Sequence, residues 1–190
     1  MTDSPPENLT GKLLIAMPGM SDPRFEKSVI FLVEHSAKGA MGLIVNKPTP
    51  DVKPEELLEQ LGIETGPGFH GLKVHFGGPV EHGRGFVLHS RDYDRNTSTL
   101  PVTETVGMTA TLDILQDIAA GDGPDRAFLA LGYSGWGPGQ LETELQANGW
   151  LTADAPPEIV FDPDAGGKWV AALKTLGIDV HTLSSAAGHA

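Results

Sequence analysis

The histidines are the first residues to weigh for chemistry. His75, His82 and His89 recur every seven residues in the segment HFGGPVEHGRGFVLHSR. Imidazole is the commonest metal ligand and the usual proton carrier near neutral pH. The spacing argues against a shared metal, because an odd separation along a strand points side chains to opposite faces. The H-E-x-x-H helix pattern is absent, and His35, His70, His181 and His189 are scattered. Neither a metal site nor a cofactor is expected. Arg84, in the same segment, follows the turn Gly77-Gly78-Pro79 and precedes an apolar run. Its guanidinium fork suits an anion or carboxylate. In so acidic a chain, a structural ion pair is the simpler expectation.

A second candidate is AFLALGYSGWGPGQLE, residues 127–142, which reads as strand, Gly-rich loop and helix. Such a junction presents backbone N–H groups and a positive helix end to an anion. The phosphate-loop and dinucleotide patterns both fail here. Pro138 also removes a donor. The nucleophile elbow G-x-S-x-G fails as well, because Trp136 stands where its last glycine belongs. Ser134, Gly135 and Trp136 therefore read first as a tight turn with Trp136 packed on the domain. An exposed Trp136 would instead mark a binding surface.

Two weaker signals remain. Asp162-Pro163-Asp164-Ala165-Gly166-Gly167 opens like a calcium loop, but Gly166 takes the fifth position and Leu173 the closing one. It reads as a turn feeding the last helix, with Asp164 near the helix start. Asn46-Lys47-Pro48 ends an apolar run with polar residues, a place where sites form, although an Asn cap and a solvated Lys suffice. Carboxylates are too plentiful for any acid–base pair to be singled out.

The elements that position these residues follow from hydrophobic periodicity. Leu13–Met17, Ser28–Glu34 and Ala40–Asn46 are apolar runs, the last two continuous enough to be buried on both faces. The short link between those two, with Lys38-Gly39, permits only an antiparallel hairpin. Short strands are expected at Val74–Phe76, Gly85–His89, Leu100–Val102, Val106–Met108 and Ala127–Leu131. Pro54–Leu61 has Pro in its first turn and Leu57, Leu58 and Leu61 on one face. Thr109–Ala120 carries Leu112, Leu115 and Ile118/Ala119 at helical spacing and stops at Gly121. Leu141–Ala147 and Trp169–Leu176 complete the helices, the latter with Trp169, Leu173 and Leu176 as its stripe. The mixture lacks regular β-α-β alternation, which indicates an α+β domain with a mixed or antiparallel sheet. Residues 1–8 read as a flexible tail, 9–183 as a single domain and 184–190 as a frayed C-terminus.

Bulk properties narrow the function. The chain has 190 residues, 39% hydrophobic and 20% charged, enough for one sizeable core. Thirteen Lys and Arg stand against 25 Asp and Glu, a formal net charge of −12. That sign repels nucleic-acid backbones and anionic membranes, so direct nucleic-acid and membrane binding are disfavoured. The absence of cysteine excludes disulfides, thiolate metal sites and thiol catalysis. The polar, acidic start MTDSPPENL is unlike a secretory signal, so a cytoplasmic location is expected.

Residues 9–180 resemble the YqgE/AlgH family of bacterial proteins, whose biochemical activity is unknown. The resemblance rests on GKLLIAMP (11–18), residues 22–34, GAMGLIVNKP (39–48), FGGPV (76–80), RGFVLHS (84–90) and GYSGWGPGQL (132–141), in that order. It implies a bent, partly barrel-like sheet with flanking helices. It also brings a loose transcriptional-regulator label, a possible genomic link to the YqgF-type resolvase-like nuclease, and no catalytic residues. No helix-turn-helix with a basic second helix is visible here. The expectation is a non-catalytic cytoplasmic interaction or regulatory protein working through contact with a protein partner. The alternative is a small-ligand binder or enzyme whose Asn46, Lys47, Gly77, Gly78, Arg84, Ser134, Gly135 and Trp136 converge on one pocket.

Overall fold

The structure is a computed structural model that describes residues 8–93 and 98–180. The expected N-terminal tail (apart from Asn8), the frayed C-terminus, His181 and His189 lie outside the described residues. Among the described residues nine strands form one curled sheet: β1 Leu13–Ala16, β2 Val29–Ser36, β3 Gly39–Ile44, β4 Lys73–Phe76, β5 Val80–Ser90, β6 Thr99–Pro101, β7 Val106–Thr109, β8 Ala127–Trp136 and β9 Trp150–Ala153. The order is β6-β7-β5-β8-β3-β2-β1-β9, with β4 also on β8. Five helices flank the sheet: α1 Pro54–Gln60, α2 Leu112–Ala120, α3 Gln140–Gln146, α4 Pro157–Val160 and α5 Lys168–Thr175. The result is the single α+β domain expected from sequence. β2 and β3 form the expected antiparallel hairpin.

Side-chain alternation sorts the apolar residues into three layers. Leu13, Ile15, Phe31, Val33, Leu43, Phe86, Leu88, Phe128 and Ala130 line the concave face, which α4 and α5 close with Val160, Trp169, Ala172 and Leu173. Their neighbours Leu14, Ile30, Leu32 and Ile44 pack outward under α3 with Trp136 and Trp150. Val74, Val87 and Leu129 pack outward under α1 and α2. β2 is thus apolar on both sides, as its continuous run implied.

Strand β8 is the hub. Phe128–Leu131 pairs with β4 in parallel and with β5 antiparallel, so those two strands flank it on opposite edges. The farther half, Ser134–Trp136, pairs with β3. The link from β4 to β5 therefore crosses over β8, and it does so at Gly77-Gly78. A Cβ on Gly78 would lie 2.1 Å from the Tyr133 carbonyl carbon, and one on Gly77 would lie 2.3 Å from the Gly132 oxygen. Below, Gly132 takes φ +74°, a value reserved almost entirely for glycine. Gly77 N–H donates to the Leu131 carbonyl at 2.8 Å, and Ile44 N–H donates to the Gly77 carbonyl at 2.9 Å. These two bonds join β4 and β3 end to end along one edge of β8.

Three expectations are corrected. Gly132–Trp136 is strand and not loop, because its backbone is paired to β3 and β5. Helix α2 begins at Leu112, since Thr109 is held in β7; Ile114, Leu115 and Ala119 are its buried stripe and Leu112 is exposed. On α5 the inward residues include Lys168 and Ala172, while Leu176 caps the helix and is exposed. Strand β9 and helix α4 were unanticipated.

Replacing Gly78 with Ala should force the crossing apart and cost about 3 kcal/mol in chemical denaturation. Gly19→Ala, where an added Cβ meets nothing within 4 Å, should change stability by less than ~0.5 kcal/mol. Equal effects would show that the crossing is not tightly packed.

Candidate functional site

The sequence-derived candidates divide into three places. Gly77, Gly78 and Ser134 meet where β3, β4 and β8 join, Gly135 pairs with Met41 farther along β3, and Asn46 and Lys47 follow the end of β3 with their side chains engaged on the 24–29 segment. Asn46 accepts from Val29 N–H at 2.9 Å and donates to the Lys27 carbonyl at 2.8 Å, which holds the left-handed Lys27 turn. Lys47 Nζ donates to the Arg24 carbonyl at 2.8 Å, and burial lowers its pKa. The hydroxyl of Ser134 is buried and donates to the Gly77 carbonyl at 3.3 Å. Trp136 sits elsewhere, buried under α3 edge-on to Trp150, with both indole N–H groups donating to Glu144. Arg84 lies across β8, exposed, 3.4 Å from Glu81 and 5.0 Å from the Phe86 ring centroid.

The histidines are likewise separated. His35 meets Glu142 at 2.6 Å, His82 stacks on Phe76, and His89 is buried against Thr109. Among the described residues no group of three or more His, Asp or Glu could hold a metal ion. No helix among them is long and apolar enough to cross a membrane.

The chemically unusual residues lie at the open end of the concave face. Lys73 pairs with Phe128 and His75 with Ala130, so all four side chains share that face. Lys168, the first residue of α5, is 1% exposed. Its Nζ donates to the Val45 and Val160 carbonyls at 2.7 and 2.8 Å and lies 5.3 Å from the Phe128 ring. Burial, offset in part by Asp162 and reinforced by Lys73, pushes Lys168 down to about 8. His75 is 3% exposed, edge-on to Phe128, and its Nδ1 has no hydrogen-bond partner. Burial first, and then the charges of Lys168 and Lys73, push its pKa down to about 4. A cavity of about 530 Å³ opens beside them, walled by Pro54, Leu72, Arg126, Phe161 and Asp162 among others. Strongly shifted groups beside a cavity mark a candidate site.

Sequence reading missed Lys168, although a signal was present: it precedes Ala172 by four residues and so falls on the buried stripe of its helix.

A second concavity, of about 240 Å³, lies on the outer face between α1, α2 and β5. Leu57, Leu61, Leu112, Leu115, Leu129 and Leu131 line it, and Arg84 borders it with its guanidinium turned over the Phe86 ring on the other face. Leu61 and Leu112 are 42% and 50% exposed.

Comparison with known proteins fixes the family. The AlgH-like family model matches residues 13–181. The chain belongs to the AlgH-like family. Its relatives include UPF0301 proteins from Cereibacter sphaeroides, 57% identical over 96% of this chain and 100% of the relative, and from Ruegeria pomeroyi, 62% identical with the same coverage. The solution structure of AlgH from Pseudomonas aeruginosa is similar at 43% identity and a TM-score of 0.78, covering 100% of both chains. A crystal structure of a Corynebacterium diphtheriae protein shares the fold at 23% identity and a TM-score of 0.73, covering 90% of this chain and 89% of that one.

The buried imidazole gives this AlgH-like chain a testable pH response. Between pH 6.5 and about 4 the unfolded chain binds a proton at His75 that the folded chain refuses. Its contribution to stability is thus complete above pH 6.5 and is lost as pH falls toward 4, reaching about 2 kcal/mol near pH 4.5. His89, also lowered by burial, acts in the same direction. His75→Gln should therefore shrink, not abolish, the difference in unfolding free energy between pH 7 and pH 4.5. An unchanged difference would show that His75 titrates normally.

Proposed function

We propose that the protein is a non-catalytic interaction protein that regulates through contact with a protein partner in the cytoplasm. The observation that carries this reading is the outer groove. Two leucines, Leu61 and Leu112, stand exposed on neighbouring helices and flank an apolar floor of Leu115, Leu129 and Leu131. Leaving such side chains half in water forfeits roughly half of the ~1.5–3 kcal/mol that full burial of each would contribute. A partner segment with apolar side chains would recover it. Among the described residues the lining offers threonine hydroxyls but no imidazole or carboxylate for proton transfer. Direct nucleic-acid binding remains disfavoured by the net charge of −12.

The YqgF-type nuclease is the first partner to assay. Affinity capture of the native protein from its own cells should recover a protein partner, and both Leu112→Glu and Leu61→Glu should weaken that capture at least about tenfold. Both positions are exposed, so unfolding free energies should move by less than ~0.5 kcal/mol. Trp136→Ala is no surface control, because removing a buried indole costs ~3–5 kcal/mol. Undiminished capture by both surface variants would overturn the groove as the contact site.

A further inference from the structure

The cavity at the open end of the concave face is a different place from the groove, and it carries a different chemistry. Among the described residues its lining holds three cations, Lys73, Arg126 and Lys168, against two carboxylates, Asp125 and Asp162. Three less two leaves one positive charge, in a chain whose overall sign is strongly negative. Asp162 faces Lys168 from the α4 side, and His70 and the neutral His75 complete the titratable groups of the wall. Arg126 is exposed, and its guanidinium makes no hydrogen bond or ion pair among the described residues. Lys73 is also exposed and reaches across to the Pro163 carbonyl at 2.8 Å. Lys168 is fixed at the wall by two carbonyls.

The rest of the wall is ringed and apolar. Phe128 and Phe161 meet edge to face at 6.0 Å, with Leu72, Pro54 and Pro163 nearby. The volume of about 530 Å³ lies within the range of small-molecule pockets and is far too small for a folded partner. Arg126 offers a planar fork that binds carboxylate and phosphate alike. We infer that this cavity binds a small organic oxyanion with a flat apolar body, its carboxylate or phosphate held between Arg126 and Lys73 above the buried charge of Lys168. The body lies against Phe128 and Phe161. An anion placed there offsets the repulsion that Lys73 and Lys168 exert on His75, so the imidazole protonates more readily when the cavity is filled.

The test is an NMR titration of the isotopically labelled full chain with phenyl phosphate, benzoate and inorganic phosphate. Saturable shifts at Lys73, Arg126 and Phe128 are expected for at least one ring-bearing probe. The tighter of the two assigns the head group, and inorganic phosphate should bind at least about tenfold more weakly because it lacks the apolar body. Arg126→Ala and Lys73→Ala should each weaken binding about tenfold while leaving the amide spectrum dispersed. The His75 ring should titrate at higher pH with the ligand bound. Leu112→Glu, in the groove, should bind normally, which separates this inference from the protein-contact reading. No saturable shift with either ring-bearing probe at ~10 mM, or unchanged affinity in Arg126→Ala, would overturn it. Inorganic phosphate binding as tightly as the ring-bearing probes would overturn the flat-body assignment.

Discussion

The fold depends on one close backbone crossing. Strands β4 and β5 lie on opposite edges of β8, so the chain between them must pass over β8 at near van der Waals contact. Only residues without a Cβ can do this, and Gly77-Gly78 above Gly132 supply three of them. Because β4 is pinned on one edge, β3 can extend that edge and carry the sheet on through β2 and β1 to β9. Because β5 is pinned on the other, β7 and β6 can follow it. The curl that results gives a concave face deep enough to need the cap of α4 and α5.

The cap is held by polar groups as much as by apolar ones. Lys168 bridges the end of β3 to the end of α4 through the Val45 and Val160 carbonyls, and the Trp169 indole donates to the Ala16 carbonyl at 2.8 Å. These carbonyls lie at element ends, where the regular ladder stops supplying donors. An ammonium in that position is expensive to desolvate, which is why its pKa falls to about 8. Deprotonation still leaves two N–H donors for two carbonyls, so the bridge survives the loss of charge. Below pH 8 the folded chain carries a buried charge, and stability from this group rises between pH 8 and 10.5 as the unfolded chain alone still binds the proton.

Apolar runs and glycine positions made the architecture legible in the sequence, and local rules set the limit of that reading. The β2–β3 hairpin, helix α1 and the β4 strand emerged because each shows its own period or its own turn. The GYSGW segment reads as a loop because Gly132, Gly135 and Pro138 look like breakers. Two of those glycines in fact keep β8 extended beneath a crossing chain and beside β3, a demand set by partners remote in sequence. Arg84 and the Asn46-Lys47 pair were visible as polar residues at strand ends. The cationic cavity was not, because Lys73, His75, Arg126 and Lys168 come together only through the parallel β4–β8 register and the return of α5. A parallel neighbour leaves no turn signal between the strands it joins.

The two concavities share β8 and differ by one residue of alternation. Phe128 faces the cavity, whereas Leu129 and Leu131 face the groove. Substitutions can therefore separate the two surfaces even though one backbone segment supports both. Proximity alone is no coupling: an occupant of the cavity alters partner binding only if its affinity differs between partner-bound and free protein, and the dependence is then reciprocal. The wall between them is a single strand, pinned on one side by the crossing at Gly78 and on the other by its ladder with β5. A shift of that strand would move Phe128 and Leu129 together, whereas a rotamer change at either residue would stay on its own side. Coupling between the surfaces would thus require motion of the β8 backbone, the part of the molecule that its glycine contacts hold most tightly.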